Sequence, residues 1–323
     1  MSKIKSTNAL MKYLRTKHNI KIGGSSDKTS LLNMGYYHGY KGCRFYYDKT
    51  NKFNLSAFYQ VQAVYNFDSQ LKALFYPKIM FIETALKNYA LQNIVEHGKS
   101  FTFSQLFDTC FNAHNDYPKN SIQYNDLSKK RVELRSKVFS DLAKNFNNPI
   151  IGHFYKKDEQ VPIWALFEIL TLGEFNRLFE CLNKKLRREI SVNLKINQSL
   201  DSDGKTLFNI IRALKDLRNS IAHNGFIYDI RFNKQEIGLR IEKYFRTELK
   251  IPDIKFKSIT DYVVLVAYLL KSLRVKKIEI NKFIRQFIEI CDNFYKCIKS
   301  MSIYNKILPT DTRNKITLLV KNL

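Results

Sequence analysis

The chain has 323 residues, enough for one large domain or two modest ones, and its 45% hydrophobic content excludes a disordered or low-complexity protein. Lys and Arg number 54 against 29 Asp and Glu, which gives a formal net charge of +25. An enzyme for small metabolites gains nothing from such self-repulsion, whereas a protein that lies against a polyanion gains affinity from counterion release. The basic residues are spread along the chain rather than gathered beside a lipid anchor, which favours nucleic acid over a membrane surface. A genome-wide bias toward Lys and Asn is an alternative source of part of this charge.

The cysteines and histidines argue against disulfide and metal sites. The five cysteines are odd in number and form no CxxC pair, and five of the six histidines share no ligand spacing, so we predict neither a metal nor another cofactor. The N-terminus has no apolar core of a signal peptide. The longest apolar run, Tyr262–Leu270, is shorter than the roughly 20 residues that span a bilayer. We therefore expect a cytoplasmic protein that does not bind a membrane.

The first third of the chain predicts two short helices, an aromatic turn and one long helix. The short helices cover residues 8–18 and the stretch after the 23–27 loop, and a Gly- and Tyr-rich turn at 33–40 leads to a possible small hairpin near 43–47. Apolar residues then recur at steps of three and four from a Ser56 cap to about Glu96, which is typical of a helix. We expect Pro77 to kink this helix or to split it.

The rest of the sequence also predicts helices. Residues 99–160 have a polar helical pattern, Pro162 opens a helix, and Asp203 caps another that ends at His223, where Asn224-Gly225 is a stop signal. Helices over 259–275 and 280–299 and a terminal helix follow Pro252. The predicted fold is all-α. Its predicted parts are an N-terminal extension (1–52) packed on a helical core (53–250), and C-terminal helices (251–323) of the same or an appended lobe.

The segment that ends the predicted 203–223 helix carries the candidate chemistry. Asn219 and His223 are four residues apart and share one helix face, and Arg218 lies beside them. His223 is thus predicted to lie on the last turn of this helix. An imidazole that moves a proton at the 2′-hydroxyl or the 5′-oxygen, and a guanidinium that neutralises the transition state, suffice for metal-independent RNA cleavage to a 2′,3′-cyclic phosphate. By spacing alone, however, such a pair arises often by chance, and the alternative role of His223 is that of a capping group.

Four blocks of sequence indicate a family. They are Leu32–Tyr40, Tyr65–Lys72 with Phe81–Asn88, Val161–Trp164 with Glu168 and Leu172-Gly173, and Leu217–Asn219 with Ala222–Asn224. In this order they resemble the Abi_2 (AbiD/AbiF-like) family of bacterial abortive-infection proteins, which belongs to the HEPN superfamily. The resemblance implies a HEPN-type helical bundle that dimerises, so that two Arg/His helix ends form one composite ribonuclease site, and a role in phage defence.

The resemblance also implies roles for individual residues. Arg218 and His223 carry over as catalytic residues, Asn219 as the residue that orients them, and Glu83 and Asn224 as supporting polar residues. Lys72 and Lys87 stand where the family motif has arginine, and lysine lacks the planar fork that grips a phosphate. The spacing of Glu83 and Lys87 equally fits an ordinary i,i+4 salt bridge.

RNA contacts are predicted for eight cations, with less support from the sequence. They are Lys41, Arg44, Lys72, Lys87, Lys129, Lys130, Arg131 and Arg135. The tyrosines near Lys41 and Arg44 suit either base stacking or packing of a short hairpin, and packing is the favoured role. Trp164 is interpreted as a core anchor rather than a stacking platform.

Three functions remain open on the sequence alone. The first is a dimeric, normally restrained HEPN ribonuclease of abortive infection. The second is an RNA-binding protein that forms a ribonucleoprotein with a structured non-coding RNA, in which the Arg/His pair is silent or serves binding. The third is an antitoxin-like interaction protein with a decayed site, against which the intact Arg218–His223 pair argues.

Overall fold

Helices account for nearly all regular structure in residues 6–233 and 237–323, which the computed structural model describes. In this part of the chain there are fifteen α-helices and one two-stranded hairpin, so the predicted all-α fold class is confirmed. The N-terminal elements are α1 (Thr7–His18), α2 (Gly24–Met34), a π-helix (Gly35–Lys41), β1 (Phe45–Tyr46), β2 (Asp48–Lys52) and α3 (Phe58–Gly98). The middle elements are α4 (Phe103–Cys110), a 3₁₀ turn (Ala113–Asp116), α5 (Ile122–Lys144), α6 (Pro149–Tyr155), α7 (Ile163–Ile169), α8 (Leu172–Cys181), α9 (Lys184–Asn193) and α10 (Lys205–Ala222). The last elements are α11 (Leu239–Glu248), α12 (Ile259–Ser272), α13 (Lys277–Ile298), α14 (Met301–Ile307) and α15 (Thr312–Asn322).

The long helix α3 runs unbroken over 41 residues and forms the centre of the fold. The predicted split at Pro77 is wrong, since the proline lies within the continuous helix. Packing of α3 against α13, with Phe67 stacked on Phe294 at 4.4 Å between ring centres, outweighs the single hydrogen bond that a proline removes. The predicted Ser56 cap is also wrong. Ala57 is the N-cap residue, and the side chain of Gln60 accepts from the Ser56 amide at 2.8 Å.

The Gly- and Tyr-rich segment after α2 is a π-helix rather than a turn. Gly35 begins it at a left-handed φ of 74°, and a Cβ on Gly39 would lie 2.6 Å from Cγ of Met34. The two glycines therefore permit a backbone that other residues would strain. In the hairpin that follows, Phe45 pairs with Lys52 and Tyr46 with Asp48.

The C-terminal helices share the hydrophobic core with the rest of the protein. Helix α12 is buried along almost its whole length, and Lys315 of α15 forms an ion pair of 2.9 Å with its buried Asp261. The domain boundaries at 52 and 250 stay predictions. No α-helix in the described ranges is both long enough and apolar enough to cross a bilayer.

Candidate active site at the end of helix α10

Two acidic side chains and a glycine start helix α10. Gly204 is the N-cap residue in a left-handed conformation, Asp203 accepts from the Lys205 amide at 3.1 Å, and Asp201 accepts from the Thr206 amide at 3.0 Å. The predicted Asp203 thus stabilises the first turn without being the cap residue itself. The apolar face of α10 is buried through Leu207, Ile210, Ile211, Leu214 and Leu217. This burial fixes the helix on the core and leaves its polar face toward the surface.

A Schellman motif ends α10 directly after the candidate histidine. His223 is the C-cap residue, Asn224 has a left-handed φ of 54°, and its amide donates to the Ile221 carbonyl at 3.1 Å. The Gly225 amide donates to the Ser220 carbonyl at 2.6 Å, and a Cβ on this glycine would lie 2.6 Å from Oγ of Ser220. The predicted stop at Asn224-Gly225 is therefore confirmed, and it holds His223 on the last turn.

Glu83 of α3, together with its neighbour Lys87, connects α3 with α10 and with the end of α7. Its carboxylate accepts from Nε of Arg218 at 3.0 Å and from Nζ of Lys87 at 2.9 Å, and Glu83 is 6% exposed. Lys87 also donates to the Leu170 carbonyl at the end of α7, at 2.6 Å. The predicted Glu83–Lys87 salt bridge is thus present, and the same carboxylate orients the arginine.

Arg218 uses only part of its guanidinium for these contacts. Besides the bond to Glu83, Nη1 donates to the side-chain oxygen of Asn219 at 3.3 Å, whereas Nη2 has no hydrogen-bond partner among the described residues. The side chain of Arg218 is 24% exposed. A guanidinium that is anchored at Nε and open at one end is suited to contact an anion.

A second ion pair on α3 holds the turn that follows His223. Lys72 pairs with Asp68 at 2.7 Å and donates to the Asn224 side chain at 2.9 Å. The other carboxylate oxygen of Asp68 accepts from the amides of Ile227 and Tyr228 at 2.7 and 3.0 Å. Burial raises the pKa of the Asp68 carboxyl, and the Lys72 ammonium opposes the rise. This pair therefore positions both ends of the turn.

His223 itself is exposed, and its imidazole forms no hydrogen bond or ion pair within residues 6–233 and 237–323. Five residues separate it from Arg218, which corresponds to about 140° around a helix axis and about 7.5 Å along it. The two side chains thus leave α10 in different directions, while Asn219 shares the face of His223. An exposed, unpartnered imidazole is available for proton transfer to a bound molecule.

The predicted RNA-binding cations of α5 are largely engaged within the protein. Lys130 pairs with Glu180 at 2.7 Å, and Arg131 donates to Asp108 and lies 4.0 Å from the Phe107 ring. Arg135 lies over the same ring at 5.2 Å, and the exposed Lys129 reaches Glu133 at only 4.0 Å. Lys130, Arg131 and Arg135 thus brace α5 against neighbouring helices, whereas the contact of Lys129 lies within α5 itself. RNA binding by these four side chains stays a prediction.

The π-helix brings an aromatic cluster to the edge of the site. His38 stacks on Phe226 at 4.9 Å and meets the edge of Tyr65 at 6.1 Å. Burial, assisted by the nearby Lys72 ammonium, lowers the pKa of His38. The sequence did not single out His38, Asp68 or Phe226. Asp68 and Lys72 are one helical turn apart in the same family block, and this spacing was the signal available for their pairing.

Two remaining predictions concern Trp164 and metal binding. Trp164 is 48% exposed and lies 6.0 Å from the ring of Phe101, so its interpretation as a core anchor is wrong. The neighbouring Ile163 is the buried residue at this helix start. Among the described residues, no three His, Cys, Asp or Glu side chains are grouped closely enough to hold a metal ion. The absence of a metal or cofactor stays a prediction.

Comparison with known proteins gives one match. The model of the Abi_2 family, described as Abi-like protein, matches residues 29–229, which is more than half of the chain. The match begins within α2 and extends past α10 to the turn that Asp68 holds, so it includes Glu83, Arg218 and His223. No curated protein matches the chain, and no solved structure does. The protein belongs to the Abi_2 family of Abi-like proteins.

Proposed function

We propose that this protein is an abortive-infection endoribonuclease that cleaves RNA without a metal ion. Membership of the Abi-like family associates the chain with abortive infection, a form of phage defence. The finer assignment is supported by one observation above all. An exposed His223 ends the same helix on which the buried Glu83 orients Arg218.

The proposed reaction is an internal transesterification. The imidazole of His223 accepts the proton of a 2′-hydroxyl, and the 2′-oxygen attacks the adjacent phosphorus. The bond from phosphorus to the 5′-oxygen breaks, and the leaving oxygen takes a proton from an imidazolium. Arg218 stabilises the negative charge that develops on the phosphoryl oxygens. The products are a 2′,3′-cyclic phosphate and a 5′-hydroxyl, which requires RNA rather than DNA.

A homodimer would complete this site. Because Arg218 and His223 point about 140° apart around α10, one copy does not bring both groups to the same phosphate by helix geometry alone. Two helix ends that face one another would supply one imidazole as base and the other as acid. A normally restrained enzyme fits this arrangement, since pairing or opening of the two helix ends would control activity.

A second candidate function is stable binding of a structured non-coding RNA. The observation that favours it is the net charge of +25, which exceeds what one cleavage site requires. In that case Arg218 and His223 would contribute to binding or stay silent. Tight binding that weakens steeply with salt and leaves the RNA intact distinguishes this function from cleavage.

The test compares wild type with His223→Ala and His153→Ala on a mixed RNA pool in EDTA, and identifies the ends of any fragments. His153 is an exposed histidine on α6 whose only described ring contact is with Phe154, which makes it a matched control. We expect 2′,3′-cyclic phosphates from wild type and His153→Ala and none from His223→Ala. Cleavage that persists in His223→Ala would refute the mechanism. Intact RNA that wild type and His223→Ala bind equally would favour the second function.

A further inference from the structure

Three tyrosines of the π-helix contact one another in a series that leads from the core to solvent. Tyr40 is 1% exposed and stacks on Tyr36 at 5.6 Å with 26° between the rings. Tyr36 meets Tyr37 edge-on at 5.4 Å, and Tyr37 is 75% exposed. The exposed ring of Tyr37 is thus connected to the buried ring of Tyr40 through the ring of Tyr36. A platform supported in this way loses little conformational entropy when a ligand binds.

The π-helix backbone also brings a cation to the exposed ring. Nζ of Lys41 lies 4.5 Å from the centre of Tyr37 and 5.4 Å from that of Tyr36. π-helical turns are rare in proteins, and those that occur are often located at functional sites. This one depends on the glycines at positions 35 and 39. With the Lys41 ammonium over one face of Tyr37, the opposite face can stack on a base while the cation pairs with a phosphate, which are the two parts of a nucleotide.

The platform adjoins the candidate active site through the next residue of the same helix. His38 stacks on Phe226, three positions after His223, at 4.9 Å. Lys72 lies 5.3 Å from the same Phe226 ring and binds the Asn224 side chain. Tyr37 is covalently next to His38. The platform therefore belongs to the same short helix that packs on the turn after His223.

We propose that Tyr37 and Lys41 form a binding site for single-stranded RNA, in which one base stacks on Tyr37 and Lys41 neutralises an adjacent phosphate. Only an unpaired base presents its face to a side chain, so the site selects single strands. The choice of RNA as the ligand rests on the proposed function. The Tyr37–Lys41 site would bind a part of the RNA that lies away from the cleaved bond. The positive charge of the whole chain favours this ligand over an uncharged apolar partner.

The test measures binding of a fluorescently labelled 12-nucleotide oligouridine to the full chain by anisotropy over a salt series. The parent protein in this test carries His223→Ala, so that the oligonucleotide stays intact. Each variant adds Tyr37→Ala, Tyr37→Trp or Lys41→Gln to this parent. Tyr59→Ala is the matched control, since Tyr59 is 44% exposed and has Lys299 6.0 Å from its ring centre. It thus removes a comparable tyrosine next to a lysine elsewhere on the surface.

We expect Tyr37→Ala to weaken binding about tenfold or more, with an unchanged dependence of log affinity on log salt, because stacking is not ionic. Tyr37→Trp should restore the affinity, and Tyr59→Ala should bind like the parent. Lys41→Gln should lower the salt slope by about 0.7, the value for one phosphate contact on a single strand.

Several outcomes would overturn the site. The first two are equal RNA affinity of the parent and Tyr37→Ala, and an equal loss of affinity in Tyr37→Ala and Tyr59→Ala. The other two are failure of Tyr37→Trp to restore the affinity, and no RNA binding by the parent at low salt. Binding to anionic vesicles that depends on Tyr37, with RNA affinity unchanged, would assign the platform to a membrane and overturn it too. If wild type cleaves RNA but Tyr37→Ala binds normally, only this inference fails. If Tyr37→Ala weakens RNA binding but wild type does not cleave RNA, the Tyr37–Lys41 site is supported and the proposed ribonuclease activity is refuted.

Discussion

Arg218 and Glu83 lie 135 positions apart in sequence, and Nε of the arginine donates to the glutamate carboxylate at 3.0 Å. This contact fixes the candidate catalytic helix α10 to the central helix α3. It also sets the direction of the guanidinium, because the carboxylate is itself held by Lys87. The candidate site therefore depends on the buried Glu83, and removal of this acid should affect stability and activity together.

Replacing Glu83 with alanine is expected to destabilise the protein by about 3 kcal/mol. The substitution leaves Lys87 and Arg218 without their common partner, and breaking a largely buried ion pair costs about 3–5 kcal/mol. The lower end applies because the Arg218 side chain is 24% exposed. Urea denaturation measures the free energy of unfolding.

The matched control is Glu133→Ala, since Glu133 pairs with Lys129 at 4.0 Å and both side chains are more than 60% exposed. Its expected cost is about 0–1 kcal/mol. RNA cleavage should fall in Glu83→Ala even at temperatures where the variant is folded. Equal stability of the two variants would show that Glu83 does not join α3 to α10 in solution.

Lys72→Met should reduce cleavage and leave the salt dependence of RNA binding unchanged. Lys72 is engaged by Asp68 and Asn224, so we expect it to position the turn after His223 and not to pair with a phosphate. A true phosphate contact would lower the salt slope by about 0.7 when removed. Hydrogen exchange of the Ile227 and Tyr228 amides should accelerate, because their acceptor Asp68 loses its cation.

The control for this variant is Lys78→Met, on the same helix and with no ion pair in the described part of the chain. It should leave both cleavage and amide exchange unchanged. A fall in salt slope for Lys72→Met, with normal amide exchange, would instead assign Lys72 to RNA as the sequence-based prediction did.

Local patterns in the sequence were sufficient to identify the helical stretch of α3 and the end of α10. The three- and four-residue spacing of apolar side chains marks α3, and Asn224-Gly225 marks the stop after His223, because both signals act within a few residues. The outward position of Trp164 was not predictable in the same way. A tryptophan beside a buried isoleucine has the same local pattern whether its neighbours cover it or not.

Long-range contacts account for the other differences. Continuity of α3 through Pro77 depends on α13, which lies about 200 residues further along the chain. The bonds of Asp68 to the amides of Ile227 and Tyr228 likewise join segments about 160 residues apart. Tertiary packing of this kind overrides local preference and has no signature in either segment alone.

Glu174→Gln is expected to destabilise the protein by about 1 kcal/mol at pH 7, since solvent screening reduces what the pKa shift alone implies, and by progressively less in acid. Burial acts to raise the pKa of Glu174, but hydrogen bonds from Lys137 and from Thr171 outweigh it and hold the pKa at about 2. Because the folded-state pKa lies below the unfolded value of about 4.3, the carboxylate stabilises the fold above that pH. This stabilisation declines as the pH falls from about 4 through about 2.

Urea denaturation of wild type and Glu174→Gln between pH 7 and pH 3 tests this sign. The difference in unfolding free energy should narrow by pH 3. Glu159→Gln is the control, since Glu159 is exposed and has no ion pair in the described ranges, and it should match wild type throughout. A difference that is constant with pH would mean that the negative charge of Glu174 does not contribute to the stability of the fold.

Arg231→Ala should destabilise the protein by about 3–5 kcal/mol, and Arg231→Lys should recover less than half of the loss. The guanidinium donates to Asp229 at 2.8 Å and to the carbonyls of Gly42 and Phe45 at 3.0 and 2.7 Å. It thereby attaches the segment after α10 to the hairpin. Without it the fully buried carboxylate of Asp229 has no cation, and a lysine ammonium cannot reproduce the planar fork.

The control is Arg313→Ala, whose 74% exposed side chain pairs with Asp292 at 2.6 Å and should contribute at most about 1 kcal/mol. Denaturation in urea again provides the free energies. A cost for Arg231→Ala as small as that of Arg313→Ala would contradict the attachment. Full recovery by lysine would mean that a point charge near Asp229 is sufficient and that the bonds to the hairpin carbonyls contribute little. Comparing the unfolding free energies of Arg231→Ala, Arg231→Lys and wild type therefore distinguishes the contribution of the Arg231 charge from that of its hydrogen-bond geometry.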